Sequence, residues 1–376
     1  MKYHFKIHKE GKGFWTQCIE LAGCITEADS MDELQRNMQE ALNLYVEEPE
    51  DSKELAHLPD ESLQVTRNIV EIPLNAKIHP NLESISESFD GILLDAYGVF
   101  WGGNGIGLLP DCKETMERLI TKGKTIGILS NSTQLAKNEI EKLKAHGLIE
   151  GQHFHFLITS GEVAKRIFLD NDLPFPTPKM KFYLFGAPHP KFSSHQAIFQ
   201  DTPFQETTDL EEADFIYISI PHINGKDQTD PLLFKEYIDI FKSTKIPMVC
   251  ANPDRFAHEG NPPQAVVRQG SIAIIHEEQG GQVFYIGKPS DRMYSAAMKS
   301  FFQYGISNPK KVLMVGDTPE TDIRGARNFN IPSALVIKTG IMADRIAHHG
   351  WKNTIKTLPT QDFPDFFIEC MGKNEF

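Results

Sequence analysis

From about residue 85 onward, short apolar strands alternate with amphipathic helices, and this alternation limits the possible folds more than any other feature. Strands are predicted at 91–97, 125–131, 155–160, 311–317 and 332–338. Helices are predicted at about 111–122, 133–146, 161–171, 290–304 and 319–330. Strands that alternate with helices are typical of a parallel sheet, so the predicted fold class is α/β.

The block between these two groups of elements has strands of its own, read at "KFYLFGA", "ADFIYISIP" and "IPMVCANPD". A second α/β unit inserted into the first explains that pattern. We therefore predict a Rossmann-like core of residues 79–179 and 286–376, with an inserted α/β cap of 180–285. The tail after about residue 350 is predicted to be a closing helix with a polar end, and no chemistry is assigned to it.

Residues 1–78 are predicted to form a separate, small α+β domain. The stretches "KYHFKIH" and "FWTQCIEL" read as two strands joined by a turn at "GKG". Ser30 and Glu33 form a capping box at the start of a helix, and "SLQVTRNIVEIPL" reads as a closing strand. The predicted order is β-β-α-β.

The centre of this domain, "IELAGCITEADSMDEL", resembles the segment that joins hairpin to helix in HicB-type antitoxins. It keeps Gly23, Cys24 and the capped helix start, but it lacks the proline and the acid of that family's first positions. No DNA-binding extension follows, so the resemblance does not imply repressor activity. An accessory or dimerisation domain is the alternative interpretation.

The bulk composition excludes several classes of protein. A net charge of -13, from 38 basic and 51 acidic residues, argues against general nucleic-acid binding. No apolar run approaches the roughly 20 residues that span a bilayer, and no signal peptide is evident. The five cysteines are scattered without a CxxC pair, which is typical of reduced thiols. We expect a cytoplasmic protein that does not bind membranes.

Polar side chains stand at or near four predicted strand ends of the core, and such ends meet at one edge of a parallel sheet. In chain order they are Asp95, Ser130 with Asn131, Lys288, and Asp317 with Asp322. Taken singly, each has an ordinary explanation as a cap, a turn or a solvated side chain. Taken together, two carboxylates and a main-chain carbonyl suit Mg²⁺, and a lysine with a hydroxyl suits a phosphoryl group.

With these residues, the chain resembles the haloacid dehalogenase superfamily, and within it the class IIA phosphatases with a C2-type cap. The four motifs correspond to "DAYGVF", "LSNST", "GKP" and "GDTPETD", and the cap segments "CANPDRFAHEG" and "RQGSIA" are also similar to that class. The resemblance covers about residues 85–350.

The resemblance implies a role for each matching residue. Asp95 attacks phosphorus to form an aspartyl-phosphate, and Asp317 and the main-chain carbonyl of Tyr97 join it around Mg²⁺. Asp322 binds the Mg²⁺ through a water molecule or orients the other ligands of the ion. The phosphoryl group is held by Ser130, Asn131 and Lys288. Asn252, Asp254 and Arg255 face the site from the cap, and an Asx-type turn is the alternative for these three.

Tyr97 departs from the superfamily pattern, in which an aspartate usually occupies this position and serves as general acid and base. A phenol with an ordinary pKa near 10 can donate a proton but is a poor base at neutral pH. Three outcomes stay open. In the first, another group donates the proton, such as His258 or the substrate itself. In the second, the substrate is an activated aryl or acyl phosphate. In the third, the site binds phosphate without efficient turnover.

The predicted function is a Mg²⁺-dependent phosphohydrolase that acts on a small phosphorylated metabolite. One alternative is a protein that binds or senses a phosphate ligand with little turnover. Another is an antitoxin-like protein that binds a small toxin or RNA through residues 1–78. Cap-to-cap dimers occur in class IIA, so a homodimer is also left open.

Overall fold

The computed structural model describes residues 2–11, 13–19, 21, 23–46, 69–73, 77–103, 105–186, 193–259 and 264–373. The strands are β1 (Lys2–Glu10), β2 (Gly13–Cys18), β3 (Ile25–Ala28), β4 (Ile69–Pro73), β5 (Ile78–Asn81), β6 (Gly91–Leu94), β7 (Thr125–Ser130), β8 (Phe156–Thr159), β9 (Lys181–Phe185), β10 (Gln205–Thr207), β11 (Phe215–Ile218), β12 (Met248–Cys250), β13 (Phe256–Glu259), β14 (Gln264–Val267), β15 (Val283–Tyr285), β16 (Val312–Gly316), β17 (Ser333–Val336) and β18 (Phe366–Cys370). The helices are α1 (Met31–Val46), α2 (Cys112–Thr121), α3 (Ala136–Ala145), α4 (Ser160–Leu169), α5 (Ser194–Phe199), α6 (Lys235–Thr244), α7 (Gln269–Glu278), α8 (Asp291–Gln303), α9 (Arg324–Asn328), α10 (Gly340–His349) and α11 (Trp351–Lys356).

The central sheet has seven strands in the order β5-β18-β17-β16-β6-β7-β8, and every pairing in it is parallel. This confirms the predicted α/β class with a parallel core. Strand β6 lies between β16 and β7, and Leu94 pairs with Val315 on one side and Ile128 on the other. These strands are apolar and buried throughout, as expected of a sheet covered on both faces. Because their ends are in register, the residues after them meet at one edge.

The stretch between β8 and β16 carries a second parallel sheet, in the order β10-β9-β11-β12-β15. The antiparallel hairpin β13-β14 and helix α7 follow β12 before the chain enters β15. Three residues after β15 ends at Tyr285, Lys288 stands beside the edge of the central sheet. The second sheet therefore delivers a charged side chain directly to the first.

The N-terminal elements form an antiparallel sheet, β3-β2-β1-β4, with α1 against it. The capping box is present, since the Glu33 amide donates to Ser30 Oγ at 3.2 Å. Strand β3 is an addition to the predicted β-β-α-β order. It is a four-residue strand with no buried position, so its periodic signal is weak. Residues 62–68 of the predicted closing strand and the acidic stretch 47–54 lie outside the described residues.

One hydrophobic cluster joins the N-terminal elements to the core. Its buried members include Phe5, Leu34 and Met38 from the first and Leu335, Met342 and Phe367 from the second. Among the described residues, no helix is both long enough and apolar enough to cross a bilayer.

The prediction of a closing helix after residue 350 was wrong for most of that tail. Helix α11 ends at Lys356, and the chain then forms β18 between β17 and β5. Phe367 and Ile368 are almost completely buried in this strand. A short apolar run flanked by aromatic residues fits a buried strand as well as a helix, so periodicity alone did not separate the two.

Candidate active site

Three carboxylates meet where β6 and β16 end. Asp95 follows β6, Asp317 follows β16, and Asp322 lies in the single π-helical turn Pro319–Ile323. All three are buried, and each offers an oxygen within 4.8 Å of the others. The register of the parallel strands therefore brings together residues that are more than 200 positions apart in the sequence.

Lys288 is the cation of this cluster. Its ammonium donates to Asp95 Oδ1 at 2.5 Å and to Asp322 Oδ1 at 2.6 Å, and the residue is 1% exposed. Burial raises the pKa of Asp95 well above its ordinary value, and the charge of Lys288 opposes that rise. Burial alone would lower the pKa of Lys288, but the carboxylates of Asp322 and Asp95 outweigh it and raise that pKa.

The carboxylates outnumber the cation, which suits a divalent metal ion. Three carboxylates and one ammonium leave a formal charge of minus two in a buried site. Burial and then the neighbouring Asp322 carboxylate raise the pKa of Asp317 to about 7. Hard oxygen donors in this number are the ligands that Mg²⁺ uses, so the donor set fits such an ion.

Two glycines are needed at Asp317 because its carboxylate lies against their backbone. A Cβ added to Gly98 or Gly340 would lie 2.1 or 1.9 Å from Asp317 Oδ2, and both glycines have positive φ. Oδ2 also accepts a hydrogen bond from the Ile341 amide at 2.7 Å. The chain after β17 thus fixes the orientation of this carboxylate.

Asn131 connects the core to the second sheet. Its Oδ1 accepts from the Lys288 amide at 2.7 Å, and its Nδ2 donates to Asp254 Oδ1 at 2.9 Å. Ser130 is buried beside it and accepts from the Ser132 amide at 3.2 Å, which leaves the Ser130 hydroxyl proton for another acceptor. The structure brings all of these residues to the same edge as Asp95.

The three residues predicted on the cap do not all face the site. Asn252 Oδ1 accepts from the Asp254 amide at 2.9 Å, the Asx-type turn of the alternative interpretation, and both residues line the cavity. Arg255 is exposed and does not line it. The cavity is lined instead by Arg268, which is buried and pairs with Glu259 at 2.9 Å.

Arg268 was not predicted as a site residue, although it begins the cap segment "RQGSIA". The hairpin register pairs Phe256 with Val267, so Arg268 lies opposite Arg255, and its amide donates to the Arg255 carbonyl at 2.9 Å. The available signal was the hairpin itself, which returns the segment "RQGSIA" beside the strand that follows the Asx-type turn.

The Tyr97 side chain is held by helix α3. Its hydroxyl accepts from Lys142 Nζ at 3.1 Å, and Lys142 also pairs with Glu139 at 3.2 Å. Burial raises the pKa of Tyr97 despite the opposing charge of Lys142, so the phenol carries its proton at neutral pH. Lys142 and Glu139 were not predicted; their spacing of three on a helix was the available signal. The side chain of His258 lies outside the described residues.

These groups open into one cavity of about 580 Å³ between the central sheet and the cap elements. Its lining includes Asp95, Ser130, Asn131 and Asp317, and Asp254 joins them from the segment after β12. Lys288 and Asp322 lie beneath this surface, behind the two carboxylates that the cavity reaches. The volume is that of a site for a small organic molecule.

Comparison with known proteins finds one matching family model and several similar proteins. Residues 285–358 match the model of the Hydrolase_like family, described as HAD-hydrolase-like. Chronophin of Rattus norvegicus is 26% identical over 274 residues, 69% of this chain and 80% of that protein. The 4-nitrophenylphosphatase of Schizosaccharomyces pombe is 25% identical over 320 residues, 76% of this chain and 93% of that protein.

The fold has relatives among solved structures. A haloacid dehalogenase-like hydrolase from Brucella suis 1330 superposes with a TM-score of 0.63 at 20% identity, covering 78% of this chain and all of that one. The family match and the fold are those of a haloacid dehalogenase-like hydrolase, and the second relative is named as a phosphatase.

Gly340→Ala tests whether the backbone at Asp317 is as restricted as the geometry indicates. The matched control is Gly123→Ala, because Gly123 also has positive φ but a Cβ there would meet no atom within 4 Å. Backbone strain alone should cost the control about 1 kcal/mol in free energy of unfolding. The clash with Asp317 should bring the cost of Gly340→Ala to about 3 kcal/mol or more, measured by urea denaturation. Equal costs would contradict the close packing of Asp317.

Proposed function

We propose that this protein is a Mg²⁺-dependent phosphohydrolase that removes the phosphoryl group of a small phosphorylated metabolite through an aspartyl-phosphate on Asp95. The observation that carries the proposal is the buried cluster of Asp95, Asp317, Asp322 and Lys288 at the floor of a cavity sized for a small molecule. The name of one relative, the 4-nitrophenylphosphatase of Schizosaccharomyces pombe, supports it.

The metal ion would be held by the carboxylates of Asp95 and Asp317 and by the main-chain carbonyl of Tyr97. Asp322 accepts from Lys288 and from the Thr318 amide at 3.1 Å, which favours an orienting role for it. When bound, the ion supplies positive charge that neutralises phosphoryl oxygens and keeps the carboxylates ionised.

The remaining steps belong to residues of this chain. An oxygen of Asp95 attacks phosphorus, and the electron pair of the breaking P–O bond goes to the leaving oxygen. Ser130 and Lys288 stabilise the negative charge on the phosphoryl oxygens while the phosphoryl group passes from the leaving oxygen to Asp95. Water then attacks the aspartyl-phosphate, which releases inorganic phosphate and restores the carboxylate.

Tyr97 limits the second step of the reaction, the hydrolysis of the aspartyl-phosphate. Its hydroxyl can give a proton to a leaving alkoxide, but a neutral phenol does not take one from the attacking water. General acid–base assistance contributes about 10² to 10⁴-fold, so its partial loss slows turnover without preventing phosphoryl transfer. We therefore propose a slow phosphatase.

Three further proposals rest on other observations. The engagement of Tyr97 by Lys142 favours, as the second candidate, a protein that binds or senses a phosphate ligand with little turnover. For residues 1–78, the HicB-like segment supports an accessory domain for dimerisation or for a protein or RNA partner. The five cysteines are free thiols, which supports a cytoplasmic location.

Asp95→Asn should abolish phosphate release while leaving the fold intact. The matched control is Asp90→Asn, because Asp90 is exposed and precedes the opposite end of the same strand. With p-nitrophenyl phosphate and Mg²⁺, we expect the first variant to lose at least about 10³-fold in rate and the control to keep wild-type rates. Chelation by EDTA should stop the wild-type reaction, and added Mg²⁺ should restore it. Equal rates for Asp95→Asn and wild type would exclude the proposed nucleophile.

Tyr97→Asp should supply the missing acid and base. We expect a rise of about 10-fold or more in kcat on an alkyl phosphate, where the leaving group needs a proton, and a smaller rise on an aryl phosphate. Tyr97→Phe keeps the ring and the main-chain carbonyl, so it controls for loss of the hydroxyl alone. If Tyr97→Asp turns over alkyl phosphates no faster than Tyr97→Phe, acid–base chemistry at this position does not limit the rate.

A further inference from the structure

The cavity has an apolar side next to the phosphoryl site. We call it the apolar wall, formed by Tyr97, Trp101, Ile106 and Leu109, all of which line the cavity. Trp101 is almost completely buried and forms the back of the wall, whereas Ile106 is 50% exposed at its front. An apolar side chain left open inside an active-site cavity gains free energy when a ligand covers it.

The wall is a built feature of the loop after β6. The Gly102 amide donates to the Gly107 carbonyl at 2.8 Å, and the Leu109 amide donates to the Phe100 carbonyl at 2.9 Å. A Cβ on Gly102 would lie 2.7 Å from Ile106 Cγ2 and 3.0 Å from Leu109 Cδ2. Both side chains therefore pack directly over this glycine.

Lys142 fixes the aromatic part of the wall. Its ammonium lies 5.1 Å from the centre of the Tyr97 ring and 4.8 Å from that of Trp101, while it donates to the Tyr97 hydroxyl. Lys142 is also paired with Glu139, so its charge is already compensated. It is a positioning residue for the two rings rather than a free anion-binding group.

The charges around the cavity do not favour a second anionic group on the substrate. Its lining contains six carboxylates, on Asp95, Glu139, Asp254, Glu259, Asp317 and Asp344, against three cations, on Lys142, Arg268 and Lys338. Each of these cations already pairs with a carboxylate, at Glu139, Glu259 and Glu369. Asp95, Asp254 and Asp317 belong to the phosphoryl end, and the other three lining carboxylates equal the three cations in number, so the rest of the cavity offers no spare cation to a second anionic group.

We infer that the apolar wall is the leaving-group subsite and that the physiological substrate is a phosphate monoester of an uncharged alcohol or phenol with an apolar or aromatic body. The inference rests on the proposed phosphohydrolase function and names its substrate class. Esters that carry a carboxylate or a second phosphate on the leaving group are poor substrates, because every cation of the lining is already paired and none is left to compensate the added charge.

Three esters with similar alkyl leaving groups test the inference: benzyl, 4-carboxybenzyl and ethyl phosphate. Comparison of benzyl with ethyl isolates the apolar body, and comparison with 4-carboxybenzyl isolates the charge. From phosphate release by the full chain with Mg²⁺, we expect kcat/KM for benzyl phosphate to exceed that for ethyl phosphate by about 10- to 100-fold. It should exceed that for 4-carboxybenzyl phosphate by about 10-fold or more.

Ile106→Asn connects the preference to the wall, and Ile149→Asn is its matched control, because Ile149 is 44% exposed and does not line the cavity. The first should reduce the benzyl-to-ethyl ratio by about 5-fold or more, and the second should leave that ratio unchanged. If ethyl phosphate is hydrolysed as well as benzyl phosphate, the inference is wrong although the proposed function stands. The same holds if benzyl phosphate is preferred but Ile106→Asn does not change that preference. No release from any of the three esters or from p-nitrophenyl phosphate overturns the proposed function and this inference with it.

Discussion

The ion cluster around Lys288 is the interaction on which the rest of the site depends. A buried ammonium persists only where carboxylates compensate it, and Lys288 touches Asp95 and Asp322, which come from two neighbouring parts of the central sheet. Lys288 is 193 positions from Asp95, beyond the whole cap insertion. The cap insertion must therefore end at one fixed position beside the central sheet. The hydrogen bond from the Lys288 amide to Asn131 Oδ1 holds the chain at that position.

The strand ends were predictable because the parallel sheet fixes them in register. Asp95, Ser130 and Asp317 each follow an apolar run whose end is visible in the sequence, and the structure places them at one edge. Residues that reach the site by other routes were not predictable in this way. Arg268 depends on a hairpin register, and Lys142 reaches Tyr97 from a helix that reads as an ordinary charged surface. Strand β18 was missed because a short buried run has no decisive period.

Tyr97 belongs both to the proposed catalytic site and to the apolar wall. As a phenol it is a weak substitute for the usual carboxylate in the hydrolysis step, yet its ring forms part of the apolar wall where the leaving group is proposed to sit. The proposed slow turnover and the proposed substrate class therefore involve the same residue. Lys142 on helix α3 contacts both the hydroxyl and the ring of Tyr97. It therefore positions the proposed proton donor and part of the apolar wall together.

We propose that Asp95 receives the phosphoryl group beside a metal ion. A crystal structure of the protein with Mg²⁺ and beryllium trifluoride, an analogue of the phosphoryl group, tests it most directly. We predict a beryllium atom bonded to an Asp95 carboxylate oxygen, fluorine atoms in contact with Ser130 and Lys288, and Mg²⁺ between Asp95 and Asp317. Beryllium trifluoride bound elsewhere, or Mg²⁺ without contact to these two carboxylates, would contradict the account.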